Sequence, residues 1–427
     1  MNSELTTLIN EIAELRPINL RYYRDALGQE LRELQEMADC PQDPVWHAEG
    51  DVLTHTQMVM DAALAEIATA PQLSKKIKQS IYLAALLHDV GKPATTHMAT
   101  DGHIVSPGHS AIGLPMARTI LYRLGVPFEI SEEVLMLILR HMTAYRMVRR
   151  IPADFNVNGI NVEQKKYWQL STEVDMPALY YLTRADWLGR NGTDIDNVLA
   201  QMQTFRARCQ HFGIWQQRFT GVLDETTLVS LVENRQERER VRHILLCLSL
   251  SGHLQTHTDA LNYLKTHTEI LNPTTAHLYV LIGVPGIGKS TWLANNLPNA
   301  HIVSSDNKRE ELFGDVNWQG DNARVFQECL LNVEQSLIEG ATVALDATNI
   351  KLSHRSTFLD LANRYQAHTT IVYFDLPLEV ALERNQKRTR RVPDSVIARY
   401  YEKIELPHRS EAQELIIVES SISPAWR

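Results

Sequence analysis

GVPGIGKST, residues Gly283–Thr291, leaves few folds open to the part of the chain that holds it. A GxxxxGK[ST] loop has meaning only between a strand and a helix, where glycine-rich backbone N–H groups and the positive end of the helix dipole converge on an anion. The apolar run before it supplies the strand. Four further runs (HIVSSD, ATVALDATN, TTIVYFDLP and ELIIVES) alternate with helix-like stretches, and that alternation predicts an α/β domain with a parallel sheet and crossover helices. Gly283, Gly286 and Gly288 are expected to let the loop close around phosphates, with Thr291 completing the motif. Lys289 should reach the β/γ-phosphates and Ser290 should hold Mg²⁺, so ATP and Mg²⁺ are the expected cofactors.

Upstream the pattern is different. Residues 1–205 read as one helix after another, an all-α domain. Asp51–Ala70 carries apolar residues at helical spacing (Val52, Val59, Ala62, Ala63, Ile67). A second helix is expected from Leu73 to about His88, stopped by Gly91 and Pro93. A third should start near Ser110, and Ser131-Glu132-Glu133 reads as the N-terminal cap of a helix running through His141. Residues 206–272 are helical and polar and carry no recognisable chemistry, as expected of a helical spacer or cap. NPTT, from Asn272, then reads as a linker into a phosphotransfer domain at 273–427.

Composition narrows the classes. The 42 Lys plus Arg against 51 Asp plus Glu give a net charge of −9, which argues against a wholly basic nucleic-acid binder and leaves room for a local basic patch. Four cysteines, Cys40, Cys209, Cys247 and Cys329, are far apart without a CxxC, so neither a disulfide framework nor a thiolate zinc site is expected. A reducing cytoplasm follows as the expected location. The N-terminus lacks the basic and apolar regions of a secretory signal, and no apolar run is long enough for a membrane span.

Three further segments of the α/β part carry chemistry. Asp306 ends the second strand, where it can take a proton from an acceptor hydroxyl. Arg309, three residues on, shares its face if a helix begins there, placed to grip an acceptor phosphate. Asp346 ends the third strand; its carboxylate would orient the metal's water shell, brace the acceptor or cap the next helix. Arg384, Lys387, Arg388, Arg390 and Arg391 form a basic run before Val392-Pro393, where a lid over the γ-phosphate belongs. Arg384 and Arg388 are four apart and would point the same way on a helix. Residues 277–427 resemble the kinase domain of polynucleotide 5′-hydroxyl kinases, through GVPGIGKS, SSDNKR, DATN and RNQKRTRRVP. The resemblance implies a general base at Asp306, an acceptor-phosphate contact at Arg309, and γ-phosphate contacts at Arg384 and Arg388, with Arg390 and Arg391 as competitors.

In the helical part, histidines and aspartates recur where metal ligands would: His55, His88-Asp89, His109, His141 and Asp186. Mixed imidazole and carboxylate donors suit Mn, Fe, Co, Ni, Zn or Mg. The segments WHAEGD, HDVGK and GHSAIG resemble the HD phosphohydrolase superfamily, and most of all the HD domain appended to some tRNA nucleotidyltransferases. The resemblance implies a one-metal set of His55, His88, Asp89 and Asp186. His109 and His141 extend it to two metals, and Mn²⁺, Ni²⁺ or Co²⁺ are the expected ions. Lys92, with Arg190, would steady the substrate phosphate. His47, His97 and His103 are expected to be structural or supporting. No polymerase signature precedes the HD segment, and no KxDG ligase motif is present.

The order HD then kinase is similar to bacterial HD–polynucleotide kinase fusions of RNA end-healing. It implies ATP-dependent phosphorylation of 5′-OH ends, metal-dependent hydrolysis of 2′,3′-cyclic phosphate or 2′-phosphate ends, RNA or DNA ends as substrate, and a separate ligase downstream. The competing expectations are a small-molecule or nucleoside kinase fused to a nucleotide phosphohydrolase, and a non-catalytic ATP-binding scaffold. Asp306-x-x-Arg309 and the complete ligand set weigh against these two respectively.

Overall fold

The computed structural model describes residues 3–191, 194–316, 318 and 320–419. Among the described residues the chain forms two compact units, 3–219 and 220–419. The first is helical and the second carries a five-stranded parallel sheet, as the sequence predicts. No helix among the described residues is long and apolar enough to cross a membrane.

In the first unit the helix Val52–Ala68 starts at Asp51, whose carboxylate accepts the Thr54 N–H, and it buries Val52, Val59, Ala63 and Ile67. Lys75–Leu87 begins at the Ser74 cap and is buried from Gln79 to Leu87, so it runs through the core. Met176–Leu188, capped by Asp175, is nearly as buried. The helix expected near Ser110 is His109–Arg123. The cap proposed at Ser131 is misplaced: that helix is Phe128–Arg140, entered from Pro127, and burial of Phe128 draws the start one turn earlier. Ser131 lies inside it, its hydroxyl donating to the Val126 carbonyl. Two short ribbons, His97–Met98 with Ile104–Val105 and Asn156–Val157 with Ile160–Asn161, interrupt the helices.

Close backbone approach sets the geometry here. A Cβ on Gly91 would stand 2.2 Å from the His109 carbonyl oxygen and 2.6 Å from the Gly113 nitrogen. The turn after His88-Asp89 therefore seats directly on the helix that begins with His109. Gly91→Ala is expected to destabilise the unit by about 1–3 kcal/mol, the usual cost of forcing atoms into a packed contact. A thermal melt checks this, and an unchanged melting temperature would refute it.

In the second unit the strands are β1 (His277–Ile282), β2 (His301–Ser304), β3 (Thr342–Asp346), β4 (His368–Asp375) and β5 (Glu414–Glu419). All pairs are parallel, in the order β2-β3-β1-β4-β5. Burial along nearly the whole of β4 is what a sheet covered on both faces requires. The loop 283–288 follows β1, Asp306 follows β2 and Asp346 ends β3, so the expected chemistry gathers at the C-terminal edge of the sheet. The helices Glu225–Leu231, Arg235–Ser251 and His257–Thr266 pack around Leu228, Val241, Leu245, Ala260 and Leu264 in this same unit. The fully buried Arg240 donates to the carbonyls of Ile270 and Asn272, both at 2.8 Å, and of Gln366. Its neighbour Glu237 reaches His368 at the start of β4, at 2.9 Å. A buried polar network thus ties these helices to the sheet.

Candidate active sites

The helical unit brings six sequence-selected residues to one buried point. His55 comes from Val52–Ala68, His88 and Asp89 from the end of Lys75–Leu87, His109 from the start of its helix, His141 from the end of Phe128–Arg140 and Asp186 from Met176–Leu188. All are buried except His109, whose side chain keeps 18% exposure and marks the open side. Their ligand atoms converge. His55 Nε2 lies 3.2 Å from Asp186 and 3.7 Å from Asp89. His88 Nε2 is 3.2 Å from Asp89 Oδ2, and His109 Nε2 is 3.4 Å from Asp89 Oδ1 and 3.5 Å from His141 Nε2. Asp89 therefore offers one oxygen to His55 and His88 and the other toward His109 and His141.

Every imidazole is oriented from behind. The Nδ1 atoms of His88, His109 and His141 face the carbonyls of Ala85, Ser106 and Ile138 at 2.7–2.9 Å. His55 Nδ1 meets Glu49 at 2.9 Å and the Gly189 carbonyl at 3.3 Å. A ring whose Nδ1–H is spent on an oxygen presents its Nε2 lone pair forward, the arrangement of metal-ligating histidines. His88 Nε2 is buried without a hydrogen-bond partner. Burial would raise Asp89 and Asp186, yet His88 and Lys92 beside the first, and Arg190 and His55 beside the second, hold both carboxyls well below the usual range. Burial pushes His141 down to about 3, leaving a neutral ring at pH 7. Ionised carboxylates, a neutral His141 ring and the orphaned His88 nitrogen fit a divalent cation. Two three-residue groups share Asp89: His55, His88 and Asp89, and Asp89, His109 and His141.

The neighbours sort themselves. Lys92 Nζ sits 2.7 Å from Asp89 and 2.6 Å from Gln42 Oε1, and Arg190 clamps both oxygens of Asp186 at 2.8 Å. Glu49, overlooked in the sequence although it stands within WHAEGD, bridges His47 and His55 and accepts the Asn191 N–H. His103 pairs with Asp43 at 2.9 Å, and exposed His97 turns to its own loop, away from the cluster.

At the sheet edge, Gly286 and Gly288 adopt φ of +85° and +116°, and a Cβ on Gly286 would stand 2.8 Å from the Ala381 carbonyl. Lys289 donates to the carbonyls of Gly283 and Val284, and desolvation lowers its ammonium, opposed by Asp346 and Asp306. Ser290 Oγ donates to Asp346 at 3.3 Å, which puts that carboxylate beside the hydroxyl expected to hold Mg²⁺. Thr291 lies exposed in the helix Lys289–Asn296.

The helix expected at Asp306 is Ser305–Phe313, capped by Ser304, with Arg309 on the same face. Arg309 donates to Asp306 Oδ1 at 2.9 Å and to Asn322 at 3.1 Å. Arg390 reaches Asp306 Oδ2 at 3.2 Å. The shared helical face of Arg384 and Arg388 does not form, because that helix ends at Gln386 and leaves Arg388 in the turn beyond. Asn385 pins the turn by bonding both ways with Val392. Arg384 reaches the Ile287 carbonyl of the loop, while Arg388 and Arg391 are exposed.

Residues 52–190 match the family described as HD domain, and residues 278–407 match the family described as AAA domain. The chain therefore joins an HD domain to a P-loop kinase domain. A multifunctional CCA protein of Halorhodospira halophila is 34% identical over 35% of this chain and 33% of its own length. An L-seryl-tRNA(Sec) kinase of Methanococcus maripaludis is 28% identical over 32% of this chain and 56% of its own. The chain thus spans about a third to a half of these curated relatives. Among solved structures, a chain of the Pnkp1/Rnl/Hen1 RNA repair complex is 26% identical over 31% of this chain and 45% of that one, with a TM-score of 0.29.

Proposed function

We propose that this union of an HD phosphohydrolase domain with a P-loop kinase domain heals RNA ends. The kinase site transfers the γ-phosphoryl of ATP to a 5′-OH, and the HD site hydrolyses a 2′,3′-cyclic phosphate and the resulting 2′-phosphate. The observation that carries the reading is Asp306 held between Arg309 and Arg390 at the edge that presents the phosphate loop. A carboxylate there accepts the proton of the attacking hydroxyl, and two guanidiniums beside it suit an acceptor that brings its own phosphate. Lys289 and Arg384 face the nucleotide, and Ser290 with Asp346 hold its Mg²⁺. An acceptor role for Asp346 is correspondingly less favoured by its contact with Ser290.

At the HD site His55, His88, Asp89 and Asp186 would hold one divalent ion, and Asp89, His109 and His141 a second. Bound ions such as Mn²⁺, Ni²⁺ or Co²⁺ supply Lewis acidity and charge neutralisation. Lys92 and Arg190 fix the carboxylates and offer positive charge to the incoming phosphate. By name, the kinase relative acts on a seryl-tRNA, which is in keeping with an RNA substrate. A separate ligase would then seal the healed ends.

The test is a short RNA with a 5′-OH and a 2′,3′-cyclic phosphate, incubated with ATP, Mg²⁺ and a panel of transition metals, with both ends resolved by mass. Gain of a 5′-phosphate with loss of the terminal phosphate is expected. Reaction of nucleosides with no change at either RNA end would overturn the reading. In the same assay Arg309→Ala is expected to slow phosphorylation of oligonucleotides about 10–100-fold, the worth of a charged hydrogen bond. A free nucleoside should be spared, and equal losses on both acceptors would assign Arg309 only to holding Asp306.

A further inference from the structure

The helix Thr143–Arg150 begins two residues after His141 and follows the sequence TAYRMVRR. Its inner face buries Ala144 and Met147, while Arg146, Arg149 and Arg150 are exposed. None of the three has an acidic partner among the described residues. Six other arginines of the same unit, Arg123, Arg140, Arg184, Arg190, Arg208 and Arg218, are each paired with a carboxylate. In a chain with 51 acidic against 42 basic residues, three unpaired arginines on one short helix are a concentrated positive stripe. At 1.5 Å of rise per residue they extend roughly 6 Å along its axis.

This stripe is fixed to the metal-ligand cluster. Thr183 donates to the His141 carbonyl at 3.0 Å, tying the helix start to Met176–Leu188. Tyr145 packs on Trp187 with centroids 5.2 Å apart. Arg190, which clamps Asp186, lies 4.3 Å over the Trp187 ring, and Arg149 lies 5.4 Å over the Tyr145 ring and donates to its hydroxyl. Arg190, Trp187, Tyr145 and Arg149 thus form a continuous chain of contacts from Asp186 to the stripe. A ligand held by both would be read in one rigid frame.

We infer that Arg146, Arg149 and Arg150 bind the phosphates of a single RNA strand leaving the HD site, so that this domain takes polynucleotide ends in preference to mononucleotides. The inference rests on the end-healing reading for the terminal phosphate and adds where the rest of the strand lies. Guanidiniums free of carboxylates pair with phosphate oxygens at little desolvation cost, and the acidic remainder of the protein confines the strand to the stripe.

The test compares wild type with the triple variants Arg146→Ala/Arg149→Ala/Arg150→Ala and Arg146→Lys/Arg149→Lys/Arg150→Lys, using the full chain and a short 5′-phosphorylated RNA that ends in a 2′,3′-cyclic phosphate. Three lost phosphate contacts should make the slope of log affinity against log salt shallower by about 2, at about 0.7 per contact on a single strand. The KM for removing its terminal phosphate should rise about tenfold or more with kcat unchanged, and a mononucleoside 2′,3′-cyclic phosphate should be hydrolysed as before. The lysine variant should keep the salt slope. An unchanged salt slope and KM in the alanine variant overturns the inference, as does an equal loss on RNA and mononucleotide. Should wild type bind RNA with this salt dependence but hydrolyse no end, the stripe stands and the hydrolytic reading falls.

Discussion

Asp89→Ala is expected to abolish hydrolysis of RNA end phosphates, by more than about 10²-fold in kcat, while ATP-dependent phosphorylation persists. Even supporting residues around a metal cost 10–100-fold when removed, and Asp89 stands in front of them. Its two oxygens face His88 at 3.2 Å on one side and His109 at 3.4 Å on the other, so its loss strips a ligand from both three-residue groups at once. Metal content by elemental analysis should fall with activity. The substitution also leaves Lys92 buried with only Gln42 as partner, and breaking a buried ion pair costs about 3–5 kcal/mol. Asp89→Asn keeps the volume and one acceptor, and separates metal loss from unfolding. If folded Asp89→Asn lost both activities, two independent sites would be the wrong description. Full metal content with full hydrolysis would remove Asp89 from the centre.

What the sequence made legible and what it hid divide along a physical line. The phosphate loop and the Asp306–Arg309 pair were readable because each depends on local chemistry, a loop between strand and helix and an i,i+3 spacing, while the six His and Asp residues that converge in the helical unit were picked out by their resemblance to the HD superfamily. Their convergence depends on approaches such as Gly91 onto His109, which no periodicity encodes. Glu49 and Gln42 escaped because a lone carboxylate or amide in a loop has no signature until the fold brings His55 and Lys92 against it. Arg240 escaped for the opposite reason. NRQERERVR reads only as a polar helix without recognisable chemistry, yet Arg240 is fully buried and satisfied by three carbonyls. The shared helical face expected of Arg384 and Arg388 is absent, since helical spacing was extended past Gln386 into a segment shaped by Asn385 and Val392.

That correction bears on the second large effect, the loss of kinase activity on replacing Asp306. Asp306→Ala is expected to lower kcat for 5′-OH phosphorylation about 10²–10⁴-fold, the range of a positioned general base, with the HD activity untouched. Two explanations would predict a loss: Asp306 takes the proton, or it merely anchors Arg309 and Arg390, which donate to its two oxygens. Asp306→Asn separates them. The amide oxygen still accepts a hydrogen bond from an arginine but cannot take up a proton at neutral pH, so a base role predicts a defect as deep as that of alanine. An anchoring role predicts only a partial loss in Asn, whose single oxygen keeps one of the two arginine contacts, and a defect of similar size in Arg390→Ala. ATP binding gives the cross-check, because Lys289, Ser290 and Asp346 keep their own contacts. KM for ATP should therefore stay within a few-fold of wild type in Asp306→Asn while kcat collapses. Lys289→Ala, which removes the ammonium meant for the β/γ-phosphates, should instead impair ATP use whichever acceptor is offered. A collapsed ATP affinity in Asp306→Asn would place this carboxylate in nucleotide binding and take the proton-transfer role from it.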